Sequence, residues 1–77
     1  MIEVGDYRAR IHATYYGGGH PVAYTAPTKN IDEARADGMA ACQAHGEADR
    51  IHILVAVRDA YDGCIHEDIV DEIDITR

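Results

Sequence analysis

The sequence predicts a small α+β domain, with one helix packed on one face of a small antiparallel sheet in the order ββαββ. Three observations carry this expectation. Residues 7–16 alternate apolar and polar, the period of a half-buried strand. Residues 30–46 hold a capping asparagine, a stripe at helical spacing and a terminal glycine. Residues 50–58 are apolar on both faces, as a central strand is.

In the first strand, Tyr7, Ala9, Ile11, Ala13 and Tyr15 point one way, and Arg8, Arg10, His12, Thr14 and Tyr16 the other. Gly17, Gly18 and Gly19 permit a turn, and Pro21 follows. The chain returns through Val22, Ala23, Tyr24 and Thr25 as a short second strand, which Pro27 closes because proline donates no ladder bond.

Asn30 is placed to cap a helix, with Glu33 three residues on as a variant capping box and Asp32 and Glu33 suited to the helix dipole. Ile31, Ala34, Gly38, Ala41, Cys42 and His45 form a narrow stripe of mostly small residues, and Gly46 stands at the C′ position. A stripe this small lets the helix lie close on the sheet. Gly38 in mid-helix costs up to about 1 kcal/mol relative to Ala unless close packing requires it.

The third strand follows at 50–58, and residues 59–63 read as a turn. The tail, 64–75, fits two readings. Ile65, Ile69, Ile73 and Ile75 sit at odd positions, as in a strand, yet the first three are also spaced by four, as in a helix. The short loop before it favours a hairpin strand, while its many acids are poor strand formers. A strand is expected, with a helix as the alternative.

The chain has 77 residues and is read as one domain, 1–77. Its 47% hydrophobic content contains neither Phe nor Trp. Such a core is marginal against chain entropy, so a homodimer or a docked partner is expected to help. No apolar run approaches the roughly 18–20 residues of a membrane span, and the N-terminus lacks signal-peptide character. A cytoplasmic protein is the default expectation. There is no Ser, and no Gly-Lys-Thr follows the glycine run, so serine triads and a Walker A loop are excluded.

The net charge is −7. Nearly all of it lies in residues 59–77, where Asp59, Asp62, Glu67, Asp68, Asp71, Glu72 and Asp74 face Arg77 alone. This asymmetry disfavours direct nucleic-acid binding and points to a basic protein partner. Glu67, Asp68, Asp71, Glu72 and Asp74 are the candidate partner-binding residues, because a row of carboxylates along one element spaces negative charge much as a nucleic-acid strand does. The plainer account is a charged, soluble edge that resists aggregation. A third is that the basic strand face, Arg8, Arg10, His12 and Tyr16, meets the acidic tail, in the same chain or in a second copy.

Other constellations weigh less. Cys42 and His45 with Cys64 and His66 supply a structural zinc's donor set, or a small redox site, and this is the alternative function. A lone pair of cysteines in a cytosolic protein is expected to stay reduced. Arg8, Arg10 and Tyr16 also suit a sheet that stacks single-stranded RNA. Gly17 to His20 reads as a hairpin tip rather than a phosphate cradle. No third group accompanies either Cys–His pair, so no enzyme activity and no cofactor are expected.

The layout, and the stretch NIDEARADGMAACQAHGEADRIHI from Asn30 to Ile53, resemble small acidic phage-encoded anti-defence proteins, notably anti-CRISPR inhibitors. The resemblance lies in the layout and carries no family residue onto a position here. It implies an inhibitor without catalysis that occupies the nucleic-acid-handling surface of a bacterial CRISPR effector subunit.

Overall fold

The computed structural model describes residues 2–14 and 21–75. Four strands and one helix follow one another as β1 (Tyr7–His12), β2 (Pro21–Tyr24), α1 (Ile31–Ala44), β3 (Arg50–Arg58) and β4 (Ile65–Asp74). The sheet is antiparallel throughout, in the order β2-β1-β3-β4. The expected α+β class and element order hold. Tyr15, Tyr16 and Gly17 to His20, the expected end of the first strand and its turn, lie outside the described residues.

The helix forms where its caps place it. The Asn30 side chain accepts hydrogen bonds from the N–H groups of Asp32 (2.8 Å) and Glu33 (3.3 Å). Glu33 does not reach back to Asn30 as a capping box would; its carboxylate accepts from the Thr28 hydroxyl at 2.9 Å, and Thr28 Oγ1 takes the Asn30 N–H. Ala34, Gly38 and Cys42, four apart, are the buried residues of the helix. They rest on Ala9, Ile11, Ile51 and Ile53, which are fully buried. A Cβ on Gly38 would stand 2.8 Å from the Ala9 Cβ and 3.1 Å from Ile51 Cγ2. The glycine therefore sets the distance between helix and sheet.

The tail is a strand. Its ambiguity resolves because β4 finds β3 as a ladder partner along its whole length, from Arg58↔Ile65 to Arg50↔Asp74. The ladder is irregular once: Ile53 pairs Asp71 and Leu54 pairs Ile69, so Val70 is an extra residue on β4. A one-residue bulge flips every side chain beyond it. Ile65, Glu67 and Ile69 thus share the helix-free face with Leu54 and Ala56, whereas Asp71 and Ile73 share the helix-covered face with Ile53 and Ile51. Ile73 and Ile75 join the margin of the core. The four isoleucines, aligned at odd positions in the sequence, do not share a face.

Candidate functional site: the β3–β4 hairpin

The acidic strand is an edge strand, and its carboxylates are divided between two faces. Glu67, on the helix-free face, receives a two-pronged hydrogen bond from Arg8: Nε to Oε2 at 2.7 Å and Nη2 to Oε1 at 2.6 Å. Arg8 starts on β1 and crosses β3 above Ala56, whose small side chain leaves room. Its guanidinium carbon also lies 4.2 Å from the Tyr24 ring centroid. Glu67 is the largest influence keeping Arg8 charged. On the same face, Arg50 Nε lies 3.1 Å from Asp74 and 3.6 Å from Glu72, and Glu72 reaches His52 at 3.3 Å. Asp71 faces the helix side and takes Arg35 Nε at 3.0 Å. Asp68 makes no ion pair or hydrogen bond among the described residues.

These contacts correct the expected row of carboxylates. Glu67, Asp68, Asp71, Glu72 and Asp74 do not form one outward negative surface. The bulge at Val70 separates them, and the chain's own Arg8, Arg35 and Arg50 compensate four of the five. Of the basic strand face, Arg8 meets the acidic tail within one chain, whereas Arg10 bonds His12 and His52 and Tyr16 lies outside the described residues.

The metal or redox reading through Cys42, His45, Cys64 and His66 is also corrected. Cys42 is buried on the sheet-facing side of α1, 3.5 Å from the Ala48 carbonyl just before β3, and Cys64 is exposed just before β4. The nine residues of β3 separate these two ends at roughly 3.3 Å each. No disulfide joins the cysteines. Among the described residues, the ligand atoms that gather within 4.8 Å of one another belong instead to Asp59, Asp62 and His66, at the hairpin turn.

That turn is heavily bonded. Asp59 Oδ1 accepts from the N–H groups of Tyr61 (2.7 Å) and Asp62 (3.3 Å). Asp62 Oδ1 accepts from Cys64 N–H, and Arg58 donates to the Gly63 carbonyl at 2.7 Å. Asp59 N–H bonds the Cys64 carbonyl, and Gly63 N–H bonds the Asp59 carbonyl. Gly63 takes φ +74°, where an L side chain is strained. These bonds fix a tip on which Tyr61 is 99% exposed. Ile65, Ile69 and Val70 extend the exposed apolar surface along β4. The sequence reading treated 59–63 only as a turn and passed over Tyr61; an aromatic residue between two turn-forming aspartates was the available signal.

A second cluster also escaped the sequence reading. On the helix-free face, Arg10 donates from Nε to His12 Nε2 at 2.9 Å and pairs through Nη2 with His52 Nδ1 at 3.1 Å. The two imidazoles are 4.6 Å apart. Burial first, then His52, Arg10 and Arg50, hold His12 below the ordinary imidazole value. Arg8 and Arg10 are both engaged within the chain, so neither stands ready for RNA. Among the described residues, no helix is long and apolar enough to cross a membrane. No family model, curated protein or solved structure matches this chain.

Proposed function

We propose that this protein is a non-enzymatic protein-binding module that offers the β3–β4 hairpin to a basic protein surface. One observation carries the reading: a fully exposed tyrosine on a hydrogen-bonded turn, followed by an edge strand on which Ile65, Ile69 and Val70 are also exposed. Tyrosine presents a large amphipathic area at little conformational cost, and a pre-ordered turn lowers that cost further. Asp59, Asp62 and Asp68 lie on this hairpin without an Arg or Lys partner among the described residues. They give it a negative rim that steers cationic partners.

The layout resemblance makes a bacterial CRISPR effector the first partner to try. Because four tail carboxylates are spent on internal arginines, mimicry of a phosphate backbone is not part of the proposal. Placing a photo-crosslinking phenylalanine at position 61 tests the reading, with the same probe at Gln43 on the outer helix surface as control. In bacterial lysate, and against a purified CRISPR effector, the position-61 probe is expected to give a discrete protein adduct that the position-43 probe does not. Equal adducts from both positions, or none from position 61, would end the proposal.

A further inference from the structure

The outer edge of β4 has a definite hydrogen-bonding phase. Ala56 turns its backbone toward β1: its N–H bonds the Asp6 carbonyl, and its carbonyl accepts from Gly5 N–H. At the far end of the hairpin, Asp59 N–H bonds the Cys64 carbonyl. Antiparallel pairs alternate between those that exchange hydrogen bonds and those that do not. Val55↔Asp68 and Val57↔His66 therefore exchange them, while Leu54↔Ile69, Ala56↔Glu67 and Arg58↔Ile65 do not. The N–H and C=O groups of Ile65, Glu67 and Ile69 point away from the sheet. These five residues, Ile65 to Ile69, form an uninterrupted ladder that ends at the Val70 bulge.

The two faces of this short edge differ. Ile65 and Ile69 lie on the helix-free face, exposed, beside Glu67, whose charge is already held by Arg8. His66 and Asp68 lie on the other face, and Asp68 carries a charge with no described partner. We infer that β4 accepts an added strand from a basic partner, one whose residues alternate apolar and Lys or Arg. Its apolar side chains cover Ile65 and Ile69, and a cation lies against Asp68. This deepens the hairpin reading and rests on it. Charge argues against a second copy as the occupant. A second copy brings the same strand, with no Lys or Arg between Ile65 and Asp74 to lie against Asp68, and like charges opposite one another oppose pairing. Main-chain bonds supply affinity in such a contact, and alternate side chains supply specificity.

The test uses the full chain and a fluorescein-labelled peptide of alternating Lys and Val, with alternating Glu and Val as control. Anisotropy is expected to show binding of the Lys–Val peptide and at least about tenfold weaker binding of the Glu–Val peptide. Amide exchange at Ile65, Glu67 and Ile69 is expected to slow on binding. Ile69→Pro removes an outward N–H and no ladder bond, and is expected to weaken binding about tenfold or more, whereas Ile69→Thr keeps the N–H and most of the affinity. If Ile69→Pro fails to fold, Ile65→Pro serves the same purpose. No Lys–Val binding, binding indifferent to the proline, or a wild-type dimer that Ile69→Pro converts to monomer overturns strand addition. A position-61 adduct without protection of the β4 amides retains the hairpin reading and removes this one. Protection without the adduct retains strand addition at β4 and removes Tyr61 from the hairpin reading.

Discussion

The two faces of the sheet are closed by different physics. Under the helix, Ala9, Ile11, Ile51 and Ile53 meet Ala34, Gly38 and Cys42 at close range, and the contact depends on volume. The opposite face has no helix. Leu54 and Ala56 are nonetheless 2% and 1% exposed. On that face Arg8 stands opposite Leu54 and Glu67 opposite Ala56, with the Arg10–His52 pair beside them, pinned by charge and hydrogen bonds. Small residues let one face close by packing alone. The other closes because long polar side chains lay their stems over an apolar floor. The first face should respond to cavities and added methyl groups, the second to pH and salt.

Ile51→Ala makes the sharpest cut. It empties a fully buried site where helix and sheet meet, and a loss of about 2–5 kcal/mol is expected in urea denaturation. That is comparable to the whole stability of a small domain. Gly38→Ala comes next. The helix gains up to about 1 kcal/mol in propensity, but the new Cβ meets the Ala9 Cβ at 2.8 Å. A net loss of about 1–2 kcal/mol is expected, and Ala9→Gly in the same chain should recover part of it in a double-mutant cycle. Stabilisation by Gly38→Ala alone would show that the helix can lift without penalty.

On the other face, Arg8→Ala breaks the paired hydrogen bonds to Glu67 and uncovers part of the floor. A loss of about 1–2 kcal/mol is expected, discounted from a buried pair because both partners keep some solvent contact. The loss should shrink in high salt, while that of Ile51→Ala should not.

His12 sharpens the contrast through pH. Its imidazole accepts a hydrogen bond from Arg10, which requires a neutral Nε2, and burial resists its protonation. Just below about pH 6.5 the unfolded chain therefore binds more protons than the folded one. Stability is complete above that pH and falls as pH drops through the window toward the lower folded value. His52, Arg10, Arg50 and Asp49 act on the group directly, and Glu72 and Asp74 reach His52 and Arg50 in turn, so all of them shape the slope. His12→Gln, which keeps an acceptor for Arg10, should flatten stability between pH 7.5 and 5.5; an unchanged slope would place the titration elsewhere. A separate acid limb is expected lower down. Asp6 is held below its ordinary value by Lys29 first and then by the Glu3 N–H, so its contribution is lost as pH falls through that lowered value. The smallest stability effect is expected at Asp68→Asn, within about 0.5 kcal/mol, which makes it a clean variant for binding measurements.

Much of the fold was legible locally. The Asn30 cap, the Ala34–Gly38–Cys42 stripe and the Arg50–Arg58 strand each depend on residues a few positions apart, and each appears where its spacing places it. The candidate site was less legible. An excess of acids in 59–77 is visible in composition, but composition does not say which face a carboxylate takes or whether an arginine far along the chain will reach it. Arg8 and Glu67 are 59 positions apart and meet across an intervening strand.

The sequence by itself therefore determined the first four elements, the Asn30 cap and the small-residue helix face, because short-range sterics and periodicity act on neighbouring residues. Tertiary structure decided the strand order β2-β1-β3-β4, the strand identity of the tail, and the Val70 bulge that parts its acids. Those outcomes depend on β3 as a ladder partner, on Ile73 joining the core, and on arginines brought in from other elements. No window along the chain contains all of these at once.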